Sequence, residues 1–422
     1  MSEHTQNPVP EAEAEVQEDS RWTDALREIL SGNALMTILA IVLALLVSGV
    51  LVVLVDKDVH AAAGYFFSRP ADTLKAIWDS LSGAIVSLFQ GSVYNFRRPD
   101  FANGIRPLTE TLTFATPLIL AGLGVAVSFR AGLFNIGAKG QMLMAAGAAG
   151  YVAFAWPMPY GIHLLVAVVV GLLAGAIWGG LVGFLKAQTG AHEVIVTIML
   201  NYVAFYFIAW LLRTPGALQA PGSNNPKSPA MLPTAVFPEI FGPRYNLHLG
   251  FILAILATVF VYFLINRSKL GFEFRAVGLN ANAARVAGMN VKMTYVWVMV
   301  VAGGLAGLAG VAQVLGTVTT GFTEGIDAGI GFDAITVALL GRSRPIGVFF
   351  AGVLFGALKA GGYSMQAAEG IPIDIVLVVQ SAIVLFLAAP PLVRAIFRLP
   401  QPGQRPSRKP AQVNGKKAVV TK

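Results

Sequence analysis

The sequence contains no cysteine, which excludes disulfides and thiolate metal sites. Its five histidines are scattered, with no pair at metal-ligand spacing, so no metal site is expected. Charged residues make up only 12% of the 422 residues, about half of what a soluble domain carries. No G-x-x-x-x-G-K-S/T phosphate loop occurs, so the chain does not hold ATP in the usual way. No nucleophile–base pair stands out either, and the chain does not read as an enzyme. Acids at membrane depth are few, essentially Asp333 and Asp374.

Hydrophobic residues are abundant instead, at 55%. The mean hydropathy of +0.68 means spare apolar surface that needs lipid. The formal net charge of +8 does not point to nucleic acid, because the basic residues cluster in a few loops and one tail. Residues 1–33 form an acidic tail and residues 392–422 a basic one. Both are expected in the cytoplasm. Between them, 34–391 reads as a polytopic all-α membrane domain. Apolar runs at 34–55, 109–129, 141–156, 162–185, 193–212, 247–265, 294–316, 345–362 and 372–389 read as spans. A further piece at 329–341 would cover about 20 Å as a helix, short of a roughly 30 Å hydrocarbon core. Counting it gives about ten crossings and places both termini and the basic loop 266–293 on one side, as the charge rule requires. Segments 56–107 and 213–246 then lie outside. The first holds an apolar piece, 81–89, too short to cross; the second is rich in proline and glycine.

Within the spans, Gly171, Gly175, Gly179 and Gly183 recur every four residues, and Gly303, Gly307 and Gly310 form a similar set. Such spacing puts small residues on one helix face and permits close backbone packing. Two Gly-rich interruptions, 130–141 and 321–341, fall at corresponding places in the two halves. Broken segments in paired positions point to a central polar pathway. Residues beside them able to bind a polar solute are Asn135, Gln141, Asn201, Tyr202 and Asp333, with Phe134 or Phe332 to stack. Each has a competing structural role, such as capping a helix or bonding across to a neighbour. Lys359 reads as a residue that snorkels or faces a cavity.

The polar stretch NRSKLGFEFRAVGLNANAARVAGMNVKM, 266–293, stands between the two halves. Its centre, 276–289, predicts a short helix capped by Asn280 or Asn282 and ended by Gly288. The pattern also fits an ordinary solvated basic loop that fixes topology. Asn282, Ala283, Ala284, Arg285 and, after two more residues, Gly288 resemble the coupling loop of ABC-transporter membrane subunits, where Glu-Ala-Ala, three residues, Gly is usual; Asn replaces the Glu here. The stretches FRAGLFNIGAKGQML (129–143), TGAHEVIVTIMLNY (189–202) and GFDAITVALLGRSRPIG (331–347) resemble the permeases that carry nucleosides and simple sugars.

That resemblance, over about 108–390, implies a type II ABC-importer-like fold in a bacterial cytoplasmic membrane. It implies two ATPase subunits holding ATP and Mg, a second permease (identical or paralogous), and an extracytoplasmic binding protein. Nucleosides are the expected cargo, with ribose-like sugars or branched-chain amino acids as alternatives within the class. An ion-coupled secondary transporter and a non-transporting scaffold are the rival classes.

Overall fold

The structure, a computed structural model, describes residues 33–398. The acidic tail up to 32 and the basic tail from 399 lie outside the described residues. The chain divides into two compact units, residues 1–43 with 386–422, and residues 44–385.

The larger unit begins within α1 (Asn33–Val55) and continues through α2 (Lys57–Ala63), α3 (Pro70–Ser92), α4 (Phe101–Gly104) and α5 (Arg106–Arg130). Next come α6 (Ala138–Ala155), α7 (Ile162–Thr189), α8 (Glu193–Leu211), α9 (Gly250–Arg267), α10 (Lys269–Leu279) and α11 (Ala281–Val286). Then follow α12 (Val291–Ala312), a π-helical turn (Gln313–Thr317), α13 (Ile330–Leu340), α14 (Pro345–Glu369) and α15 (Asp374–Ala388), within which the unit ends. The smaller unit is described only for the start of α1, the end of α15 and α16 (Pro390–Ile396), whose two leading prolines suit a first helical turn. Among the described residues, β structure is confined to one isolated bridge, Glu239 with His248.

Seven helices are long and apolar enough to cross a membrane, again among the described residues. The sequence expectation of about ten also counted α6, α13 and α15. By the same measure α13 and α15 are too short, and α6 carries polar residues at its start. Two helices form the centre. The most apolar stretches of α5 and α12 are 83% and 89% buried, against 33% for α7 and 28% for α8. Helices that are apolar all round are suited to such a position. Helix α5 continues through Pro117 without a break.

The glycine rows explain the packing of α12 on α7. A Cβ at Gly175 would meet the Gly303 carbonyl oxygen at 2.5 Å and the Gly307 Cα at 2.7 Å. One at Gly183 would meet the Val296 Cα at 2.8 Å, and Gly179 faces Met299 and Gly303. Backbone thus lies against backbone along the seam. Gly171 meets the Val311 side chain, and Gly310 faces the Met142 carbonyl on α6 instead of α7.

Two expectations need correction. The piece expected at 81–89 is the second half of a 23-residue helix, α3. Asp72, Lys75 and Asp79 in its first half masked its length. Its second half packs along α14, where the Ser87 hydroxyl donates to Glu369 Oε1 at 2.8 Å. The single helix expected over 276–289 is two helices, because Asn280 adopts an extended backbone (φ −159°) and starts α11 anew.

Candidate functional site

The polar stretch between the halves is built by local capping. Ser268 accepts from the Gly271 N–H and opens α10. Gly271 lies against the Leu264 carbonyl, an approach that leaves no room for a side chain. Asn280 Oδ1 accepts from the N–H groups of Asn282 and Ala283, both at 3.0 Å, and opens α11. Gly288 at φ +84° ends it, with open space around its Cα. Asn290 then caps α12 through the Met293 N–H. Val277, Ala284 and Val291 form a small core beneath. Asn282, Ala283, Arg285 and Gly288 all face outward, and Ala284 faces in. Leu279 and Val286 are exposed apolar tips at 89% and 90%. The result is a two-helix element whose outer face is exposed among the described residues.

This element touches the end of α5. Gly278 lies against the Arg130 carbonyl and Ala131, and Gly132 (φ +71°) lies against Gly278. Arg130 Nε also donates to the Ser343 carbonyl at 2.9 Å, in the turn between α13 and α14. One residue therefore joins the two-helix element to the ends of both interrupted segments.

The first interruption, 131–137, is closed by neutral amides. Asn135 and Gln141 are fully buried and bonded to each other, Asn135 Nδ2 to Gln141 Oε1 at 3.3 Å. Asn135 Oδ1 accepts from the Gly137 N–H at 2.9 Å. Asn201 on α8 accepts from the Gly140 N–H at 2.8 Å and donates to the Ile136 carbonyl at 2.9 Å. The chain's own backbone thus occupies Asn135 and Asn201, Gln141 is taken up by Asn135, and a solute has no open face of Asn135 or Gln141 to bind. Glu193 at the start of α8 pairs with Lys186 at 2.6 Å, and Lys186 lies over the Tyr295 ring.

The second interruption is held by the loop at 228–231, where the Phe322 N–H donates to Ser228 Oγ at 2.9 Å and the Met231 N–H to the Thr319 carbonyl at 2.8 Å, and by charges. Lys139, next to the first interruption, pairs with Asp327 at 3.6 Å and lies 5.2 Å over the Phe205 ring. The Lys139 backbone lies against Gly331, so the two interruptions meet there. Asp333 in the first turn of α13 pairs with Lys359 of α14 at 2.7 Å, and both side chains stay partly open, at 20% and 16%. Lys359 is thus paired, not snorkelling. Phe332, Phe134 and Tyr202 are all about half exposed, on separate elements. The span expected from 247 begins in the structure at Gly250, so His248 lies just outside it, under the π-helical turn, against Gly316 and stacked on Phe237. Burial lowers its pKa to about 4. Its Nδ1 accepts from the Gly250 N–H, which fits a neutral ring.

Sequence reasoning had not singled out Lys139, Asp327 or His248. A usable signal existed for the first pair: an intramembrane lysine and an acid in paired interruptions need partners.

The family described as branched-chain amino acid transport system / permease component matches residues 108–388. The guanosine ABC transporter permease protein NupP of Bacillus subtilis is 39% identical over 75% of this chain and 92% of its own length. The nucleoside ABC transporter permease protein NupB of Lactococcus lactis is 36% identical over 67% of this chain and 79% of its own. The glucose ABC transporter permease protein TsgB13 of Haloferax volcanii is 37% identical over 66% of this chain and 75% of its own. No solved structure matches. A match over most of the described helices, with relatives of this closeness, means that the chain belongs to the branched-chain amino acid transport system permease components, a family of ABC-transporter permeases.

Proposed function

We propose that the chain is the membrane subunit of a nucleoside importer, driven by ATP hydrolysed on separate subunits. The observation that carries the substrate is the similarity to guanosine and nucleoside permeases over most of their length. A sugar is the second reading, favoured by the similarity to TsgB13. The type II arrangement, with about ten crossings once α6, α13 and α15 are counted, belongs to this reading. So do cytoplasmic termini and external segments at 56–107 and 213–246.

In this reading α10 and α11 seat on an ATPase subunit through Asn282, Ala283, Arg285, Val286 and Leu279. ATP and Mg stay on that partner. Closure of the ATPase pair pushes α10. The push passes through Gly278 to Arg130, and from Arg130 to the turn at Ser343. Both interrupted segments then shift together and the pathway alternates between the two sides. A second permease completes the pathway, and an extracytoplasmic binding protein delivers the solute.

The test is uptake of labelled guanosine, ribose and leucine by cells carrying the whole transporter or lacking its ATPase gene. Guanosine uptake that vanishes without the ATPase supports the proposal. Uptake that survives without the ATPase and collapses with the ion gradient would sink it in favour of ion coupling.

A further inference from the structure

The segment before residue 108 lies outside the family match, yet it builds one wall of a cavity of about 360 Å³. The opposite walls are α5 and α14. That volume lies in the range of small-molecule pockets, roughly 300–1,000 Å³. The added wall is fixed. Thr111 Oγ1 donates to the Ser92 carbonyl at 2.7 Å, the Asn95 N–H donates to the Gly104 carbonyl at 2.8 Å, and Tyr245 Oη donates to the Ala102 carbonyl at 3.1 Å. The pocket is therefore formed before any solute arrives.

Its chemistry is mixed in a particular way. Phe114 of α5 and Tyr363 of α14 stack with centroids 5.6 Å apart and planes at 25°, and Tyr363 is half exposed. Three polar lining residues have no side-chain hydrogen bond or ion pair among the described residues: Gln90, Arg98 and Ser364. The acid in the wall, Glu110, is occupied: it accepts from Asn246 and faces Arg106. The pocket thus offers an aromatic face, an amide, a guanidinium and a hydroxyl without partners. Tyr363 lies one turn from Lys359 on the same face of α14, so the cavity lies about one helical turn along α14 from the Asp333–Lys359 pair.

We propose that this cavity is a binding site for a nucleoside, with the base stacked on Tyr363 and its polar edge or ribose bonded by Gln90, Arg98 and Ser364. The site is the station from which the solute moves on along α14 toward the second interruption. This rests on the nucleoside reading above. A planar heterocycle carrying hydroxyls uses both the ring and the partnerless polar groups. A simple sugar uses only the latter.

The test measures concentration-dependent uptake of labelled guanosine by the complete transporter in wild type, Tyr363→Ala, Tyr363→Phe and Gln90→Leu, alongside the amount of assembled complex. Base–aromatic stacking predicts a KM at least about fivefold higher for Tyr363→Ala, with Tyr363→Phe near wild type. Gln90→Leu, a substitution at a side chain with no partner to lose, should raise KM severalfold. If wild type imports no nucleoside, the function proposed above fails and this site falls with it. If wild type imports guanosine and both Tyr363→Ala and Gln90→Leu keep its KM, the site alone is overturned. Should Tyr363→Ala fail to assemble, Gln90→Leu decides. Equal inhibition by guanosine and by ribose would also overturn the site, since it would leave the ring no role.

Discussion

Between Gly132 and Gly140 the freed backbone is satisfied by neutral amides, whereas between Val318 and Asp333 backbone bonds to the loop at 228–231 are joined by two lysine–carboxylate pairs, one of them reaching across from Lys139. In the first segment, Asn135 and Asn201 satisfy backbone groups that leave the helical ladder, Gln141 holds Asn135 in place, and all three are buried. In the second, Lys139 reaches Asp327, and Lys359 reaches a partly open Asp333. Buried amides bonded to backbone have no alternative partner and hold one geometry. An ion pair open on both sides, as Asp333–Lys359 is, can exchange partners with water or a solute. The first segment is suited to be a fixed post and the second a movable one.

Asn201→Leu should break the post most severely. It strands the Gly140 N–H and the Ile136 carbonyl, each at about 1–3 kcal/mol, so a loss of roughly 2–6 kcal/mol is expected in thermal unfolding of the purified complex. A variant as stable as wild type would remove the contrast between the segments.

The next effect is set by pH, through His248 beneath the π-helical turn that leads into the second segment. Its pKa is lowered on folding, so its contribution is complete above the ordinary value near 6.5 and is lost as pH falls toward about 4. Each pH unit in that window is worth about 1.4 kcal/mol. Unfolding measured from pH 7 to pH 4 should therefore show a fall that His248→Gln flattens.

Lys359→Met comes third. It leaves Asp333 without its partner and should lower stability by about 2 kcal/mol, less than the roughly 3–5 kcal/mol of a fully buried pair because both side chains are partly open. Adding Asp333→Asn should recover most of the loss. Failure of that rescue would show that the pair is not the contact that matters there. Smallest in stability is Gly288→Val, about 1–2 kcal/mol for a β-branched residue at positive φ. Its larger effect is expected on coupling, read as ATP hydrolysis that no longer tracks uptake.

Much of the scaffold was legible because charge-free runs and glycine spacing are direct consequences of lipid and of close helix contact. The run at 162–185 became α7, and Gly175, Gly179 and Gly183 lie on the seam with α12. The length of helix α3 was missed because its polar first half hides a helix whose second half packs on α14. The break at Asn280 was missed because an Asn that caps a helix from inside a helical pattern reads as a continuation. Asn135, Gln141 and Asn201 were picked out as polar groups amid apolar ones, but a sequence does not say whether such an amide serves a solute or the chain's own backbone. The Asp333–Lys359 and Lys139–Asp327 pairs join residues far apart in the chain, which only the fold brings within reach.

The glycine seam between α7 and α12 has a consequence for how such a protein changes shape. Where main chains abut with no side chains between them, neither slippage nor rotation is open to the pair without prising it apart. The two helices are obliged to travel as one plank, and whatever flexes must do so at its margins, where lysines and carboxylates still stand between neighbours.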